Sequence, residues 1–346
     1  MMDGKGEVGQ EDDSFISTGR LLAFVIVGMI IYLMMAIVDQ WDQVIATIAG
    51  IEWWWIIPAM MGLSFLNYLI RYSKWQYYLR RIGVNISHAD SFSIFLAGFT
   101  LTVTPGKIGE AIKGYFCREV DGSPIAKTVP VVISERVTDL LAMVIISLLS
   151  FAAILTSGNQ LLLVLSAGVL VLVGALVLTN SKFYNKILKK LTTFGPLKRF
   201  EESVDQVEDT MVRTLSPKPM VFGTLISIPG WFMECLELWL LLSIVTGAGL
   251  PTLAPTSLYL LAQATFVHAS ASAVGAVLVF LPGGLGGYEI YARGILTTFG
   301  VLAAVATASI FLIRFVTLWF SVIVGFVSLA VVTRRNRQRE CQTQQA

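Results

Sequence analysis

The sequence predicts an all-α, polytopic membrane protein with about six full spans and two re-entrant helical hairpins arranged as an inverted repeat. Its 346 residues are 55% hydrophobic and 14% charged, with a mean hydropathy of +0.73, whereas an ordinary soluble domain carries about 25% charged residues. Apolar runs of about twenty residues recur between Leu21 and Val332, the length a helix needs to cross a hydrocarbon core about 30 Å thick. Two Pro-Gly breaks, at Pro105-Gly106 and Pro282-Gly283, interrupt otherwise apolar stretches. A soluble globular fold and an outer-membrane barrel are both excluded.

The net charge of +2 is too small to point to nucleic acid, and the basic residues cluster in loops, where they read as topology signals. Cys117, Cys235 and Cys341 lie far apart with no CxxC spacing, so neither a disulfide framework nor a zinc site is favoured. With only His88 and His268 as histidines, no metal centre and no cofactor are expected. The acidic start MMDGKGEVGQEDDSF differs from the basic n-region of a cleaved signal peptide, so residues 1–19 read as a disordered cytoplasmic tail.

The first membrane half, residues 20–181, opens with a span at Arg20–Val38. A second span, Trp53–Leu79, begins on the aromatic belt Trp53-Trp54-Trp55. The loop between them has Asp39, Asp42 and Glu52 but no Lys or Arg, while the second span ends in Arg80-Arg81, so the N-terminus is expected on the cytoplasmic side of the cell membrane. Residues 182–219 hold eight basic residues and residues 333–346 add Arg334, Arg335, Arg337 and Arg339; both are expected to be cytoplasmic.

Between Arg81 and Lys182 lie three apolar segments, Ser91–Thr104, Val129–Leu155 and Leu161–Leu178, and three crossings would put the basic linker outside. Ser91–Thr104 is too short to cross, and a second short helix, Glu110–Val120, follows its break. A re-entrant hairpin near 91–120 restores the parity. In the second half, 220–332, Met220–Thr246 crosses outward and Val301–Val332 returns, which makes residues 257–300 a second hairpin entered from outside.

The two breaks share the pattern P-G-x-(I/L)-G, each followed by an acid, Glu110 or Glu289. Arg136 follows Pro105 by 31 residues and Arg314 follows Pro282 by 32. Hairpins entering from opposite sides relate the halves by an axis in the membrane plane.

An ionisable residue inside a span costs at least about 2–3 kcal/mol and needs a partner, water or a role. Arg71 and Lys74 are expected to snorkel to the interface, and Lys113 on the return helix is ambiguous. Lys107 sits at a helix break, where freed N–H groups favour an anion such as a phosphate headgroup; the alternative is a plain turn in which Lys107 pairs with a carboxylate. Glu135 and Asp139 share a helix face, and Arg136 points about 100° away from Glu135. Arg136 is therefore expected to meet Glu110 or Glu289, with Arg314 making the equivalent contact in the other half. Glu234 and Glu237 have no Lys or Arg between Lys218 and Arg293; they either carry protons for coupling or pair with Arg293 or Arg314. His268 reads as a hydrogen-bonded packing residue. The Gly283–Gly287 run has no βαβ context and is no dinucleotide fingerprint.

In the linker, Phe183, Ile187 and Leu191, then Phe200, Val204, Val207, Met211 and Leu215, fall at helical spacing around Gly195-Pro196. Two amphipathic helices on the inner leaflet are expected, or a solvated linker face.

The runs Thr104-Pro105-Gly106-Lys107-Ile108-Gly109-Glu110-Ala111, Glu135-Arg136-Val137-Thr138-Asp139-Leu140 and Leu281-Pro282-Gly283-Gly284-Leu285-Gly286, with Glu289, closely resemble the lysylphosphatidylglycerol synthase transmembrane-region family over roughly residues 20–332. That resemblance implies a flippase-like domain which, in aminoacyl-lipid members, is fused to a soluble synthase and moves the modified phospholipid across the bilayer. No synthase domain follows Val332 in this sequence, so lysine transfer from tRNA is not expected, and an enzyme is not expected either, since no nucleophile, metal site or nucleotide loop is evident.

The resemblance makes Lys107, Gly106, Gly109, Glu110, Glu135, Arg136, Asp139, Gly283, Gly284, Glu289 and Arg314 the candidate lipid-binding positions. The expected function is a flippase or scramblase in the cell membrane for an anionic phospholipid or a polyprenyl phosphate. The alternative is a non-transporting subunit that presents lipid to a partner synthase or glycosyltransferase. The sequence is compatible with a homodimer.

Overall fold

The computed structural model describes residues 18–104, 108–155, 204–278 and 281–345, which are overwhelmingly helical, with no strand among them. Gly106 and Lys107, the expected span Leu161–Leu178, the first part of the linker and most of the N-terminal tail lie outside the described residues.

Helix α1, Thr18–Val38, meets α2, Trp41–Ala49, at a bend of 105°. The turn places Gln40 at φ 63°, a left-handed conformation unusual for a side-chain-bearing residue. The expected outer loop is thus partly helical, and Asp39 in it is buried, paired with Arg293 and Thr307. Helix α3, Trp53–Arg81, has 29 residues and reaches Arg80-Arg81 unbroken despite Pro58, which sits in its second turn.

The first hairpin follows. Its entry limb is α4, His88–Ala97, capped by the Ser87 hydroxyl and continued by a 3-10 turn at Gly98–Leu101. Its return limb is a 3-10 turn at Ile108–Ala111 and α5, Ile112–Asp121. A ten-residue helix is about 15 Å long and cannot cross. Then α6, Ile125–Ile154, crosses in 30 residues.

The described part of the linker is α7, Val204–Leu215, whose Val207, Met211 and Leu215 pack with Ala126 of α6. Its apolar face is spent on the protein instead of the lipid leaflet. Helix α8, Pro217–Val245, crosses, and α9, Pro255–Val277, also has span length at 23 residues. The first limb of the second hairpin is therefore longer than expected, because the run from Pro255 continues without a break through the small residues up to Val277. Helix α10, Gly287–Thr298, is short.

The last span is α11, Ala303–Arg314, a π turn at Phe315–Trp319 and α12, Phe320–Gln345. Five helices are long and apolar enough to cross, or six if α1 and α2 form one broken span. The chain is an all-α polytopic membrane protein.

One apolar core gathers Ile56, Met60, Leu238, Leu241, Ile310 and Ile313. A second, around the first hairpin, gathers Trp75, Tyr78, Ile94, Phe95 and Val131. Helix α12 lies directly on that hairpin because residue 325 is glycine: a Cβ there would collide with the backbone of Thr100. Buried charged residues of α3, α6 and the first hairpin come together in one network.

Candidate functional site

Asp139 on α6 is the hub of the first-half network. Its Oδ1 accepts from Lys74 Nζ at 2.5 Å and its Oδ2 from Arg71 Nη2 at 3.2 Å, while Arg136 Nη1 lies 3.6 Å away. Arg136 also donates to Glu110 of the hairpin at 2.8 Å. Lys113 on α5 is fully buried, reaches Glu135 at 2.6 Å, and lies over the rings of Trp75 and Phe95 at 4.6 and 5.4 Å. Its stem passes over Gly98, where a Cβ would come within 2.8 Å of Lys113 Cγ.

Arg71 and Lys74 do not snorkel: they are 5% and 0% exposed. Arg80-Arg81 already marks the interface, and positions six and nine residues deeper lie about 9 and 13 Å further in at 1.5 Å per residue. That spacing was the overlooked signal. Among the described residues the network holds four cations, Arg71, Lys74, Lys113 and Arg136, against three carboxylates, Glu110, Glu135 and Asp139. It carries one positive charge in excess, and burial makes that excess strong.

In the second half Arg314 donates from Nε to Glu289 at 2.7 Å and from Nη2 to the Gly283 carbonyl at 2.9 Å, and lies over the Tyr288 ring at 4.7 Å. Glu289 accepts the Gly286 N–H at 2.6 Å, closing the start of α10, and Tyr32 donates to it at 3.3 Å. Each break thus carries an acid held by an arginine 25 or 26 residues further on. Arg314 ends α11 just ahead of the π turn; such turns occur frequently at functional sites.

Glu234 and Glu237 meet neither Arg293 nor Arg314. Glu234 accepts from Asn67 Nδ2 at 2.6 Å and lies 3.1 Å from His268 Nε2, and His268 Nδ1 lies 2.9 Å from the Tyr288 hydroxyl. Glu237 accepts from Ser64 at 2.9 Å. His268 is buried and held on both ring nitrogens.

Between the first hairpin and the second break lies a cavity of about 280 Å³. Thr102 and Glu110 come from the first hairpin, Gly283 and Gly284 from the second break, and three guanidiniums, of Arg71, Arg136 and Arg314, share the wall with Glu234 and His268. The breaks touch where Gly283 approaches Val103, and Gly284, at φ +71°, lies against the backbone of Gly275. The Nε atoms of Arg71 and Arg136 and the indole N–H of Trp231, three residues that line the cavity, are themselves buried away from it and have no hydrogen-bond partner among the described residues. Leaving such donors unmade costs about 1–3 kcal/mol each.

Of the sequence-selected residues, Glu110, Arg136, Gly283, Gly284, Arg314 and Glu234 line the cavity. Glu135, Asp139 and Glu289 stand behind them as counter-ions. Gly109 is a hairpin position: its N–H donates to Thr104 Oγ1 at 2.9 Å, and a Cβ would collide with Leu101. Asn67, Trp231 and Tyr288 were missed, since neutral polar and aromatic residues in apolar helices give no distinguishing pattern. Among the described residues no group of three His, Cys, Asp or Glu could hold a metal ion.

A family model described as the lysylphosphatidylglycerol synthase TM region matches residues 20–325. The UPF0104 membrane protein PH1989 of Pyrococcus horikoshii is 22% identical over 298 residues, covering 79% of this chain and 84% of that protein. The family match takes in both breaks and every charged residue of the network.

Proposed function

The chain belongs to the lysylphosphatidylglycerol synthase TM-region family, and from that premise we propose that it is a flippase or scramblase of the cell membrane that binds a phosphate-bearing lipid headgroup between its two helix breaks. The observation that carries this reading is the first-half network, with one cation in excess among the described residues, whose Arg71 and Arg136 line the central cavity together with Arg314 of the second half. A phosphate offers several strong acceptor oxygens and negative charge, which guanidinium donors match in geometry and sign. A static scaffold gains nothing from one buried charge more than its partners balance.

The two arginine–acid pairs at matching offsets support an inverted repeat with the site at its interface, the arrangement in which one half can move against the other around a fixed site. Both termini are read as cytoplasmic from the loop charges, and no chemical transformation is assigned. The test is a proteoliposome assay with the purified full chain, following fluorescent phosphatidylglycerol and polyprenyl-phosphate analogues between leaflets. Protein-dependent movement that Arg136→Ala and Lys107→Ala remove supports transport. Binding without movement would replace it with the lipid-presenting subunit.

A further inference from the structure

Among the buried carboxylates that face the centre, Glu110, Glu135, Asp139 and Glu289 each lie within 4 Å of a Lys or Arg. Glu234 and Glu237 do not. Glu234 stands on the cavity wall with two neutral-capable partners, Asn67 and His268. Glu237, fully buried one turn along α8, has Ser64 on one oxygen and, among the described residues, no hydrogen-bond partner on the other. An acid held this way is suited to binding and releasing a proton, since no fixed ion pair locks it in one state.

His268 keeps a partner on both ring nitrogens through that exchange. With Glu234 ionised and His268 neutral, Nε2–H donates to the carboxylate and the Tyr288 hydroxyl donates to Nδ1. With Glu234 protonated, its O–H donates to Nε2 and Nδ1–H donates to the Tyr288 oxygen. With the proton on His268 instead, each ring nitrogen donates, Nε2–H to the Glu234 carboxylate and Nδ1–H to the Tyr288 oxygen. No state strands a buried donor of His268, and the far end of the chain, Tyr288, lies under Arg314 at the second break.

The other titratable groups facing Glu234 fix the sign. From α3 come Tyr68 and Arg71, and from α6 Arg136 and Asp139 beyond Arg71. Tyr288 and Arg314 close the site from α10 and α11, and Cys235 and Glu237 share α8 with Glu234. Among the described residues the network across the cavity has a single positive charge to spare. An ionised Glu234 balances it, and a protonated Glu234 frees it for an arriving anion.

We propose that the Glu234–His268 pair binds one proton together with each phosphate-bearing headgroup, so that lipid and proton move in the same direction. This rests on the transport reading above. Coupling of this kind is reciprocal: the bound anion raises proton affinity at Glu234 as much as the proton raises anion affinity.

The experiment uses the full chain in vesicles of neutral phospholipid containing a trace of fluorescent phosphatidylglycerol, with a pH gradient imposed, membrane potential clamped by valinomycin and equal potassium, and protein-free vesicles subtracted. Wild type should gather the label in the leaflet facing the more alkaline side, by about tenfold per pH unit for one proton per lipid. Glu234→Gln, which keeps the hydrogen bonds to Asn67 and His268, should lose the gradient-driven accumulation, so that whatever label it moves, at a lower rate than wild type, ends evenly distributed. His268→Gln should behave likewise. Wild type that moves the label quickly yet distributes it evenly overturns the coupling and leaves transport standing. Accumulation on the acid side also overturns it. Wild type that moves no label under any gradient overturns the transport reading and this proposal with it.

Discussion

Arg136 on the long sixth helix donates to Glu110 at 2.8 Å, and the two are joined through the return limb of the first hairpin, 26 residues apart. The second half repeats the relationship with Arg314 and Glu289 at 2.7 Å over 25 residues. In each half an arginine in a long helix fixes an acid that follows a Pro-Gly break, so the position of the break is tied to the orientation of the span.

Arg136→Ala leaves buried Glu110 with only Lys113, at 3.8 Å, among the ion pairs described for it. Removing one member of a buried pair costs about 3–5 kcal/mol, so the variant should melt well below wild type and lose lipid movement. Adding Glu110→Gln should recover part of the stability, read as thermal unfolding in detergent, without recovering transport. A folded, inserted Arg136→Ala that transports normally would refute the cavity reading.

Asp139→Asn should be among the most damaging single changes, because Arg71 and Lys74 lose their one described carboxylate and Arg136 one of two. A loss of about 3–5 kcal/mol is expected on the same grounds. Combining Lys74→Met with Asp139→Asn should raise the melting temperature again, because the second change removes the unpaired charge that the first leaves at its closest contact.

Two glycines should respond in opposite ways to alanine. Gly284, at the second break, has φ +71° and a Cβ there would lie 3.0 Å from the Gly275 Cα, so Gly284→Ala meets both the left-handed penalty of about 1–2 kcal/mol and a backbone obstruction. Gly62, in the third helix, has nothing within 4 Å of its Cβ position, and Gly62→Ala should be neutral or stabilising by about 0.5–1 kcal/mol. Equal melting temperatures for the two variants would contradict the close packing at the second break.

Asp90, at the start of the first hairpin, ties the end of the last helix to it through Arg339 at 2.7 Å and Arg335 at 3.4 Å. Partial burial pushes its carboxyl up, but the Ser87 hydrogen bond and Arg339 outweigh that and hold it below the usual carboxylate range. Its folded value is lowered, so the tether is complete at neutral pH and is lost only as pH falls through that lowered value, below about 4. Asp90→Asn should therefore speed tryptic cleavage near Arg339 at pH 7.5. With half-exposed partners the contribution is at most about 1 kcal/mol, so global melting should barely move.

The sequence by itself determined the class of the protein, a long span from Trp53 and two more within a few residues of their observed starts, and the arginines that meet an acid near each break, with Glu110 and Glu289 both open as the partner of Arg136. Lipid imposes this legibility: a spanning segment must satisfy its own backbone hydrogen bonds, so length and apolarity along the chain suffice to reveal it. Choice of partner was decided by tertiary structure. Arg71 and Lys74 look like interface residues until α6 brings Asp139 against them, and Glu234 looks unpartnered until α9 supplies His268 from 34 residues away. The bend at Gln40 and the burial of Asp39 against Arg293, 254 residues on, were equally invisible in the sequence. A buried charge must be matched wherever a counter-charge happens to come within a few ångströms, and that proximity is set by how the helices pack, not by any pattern within one of them.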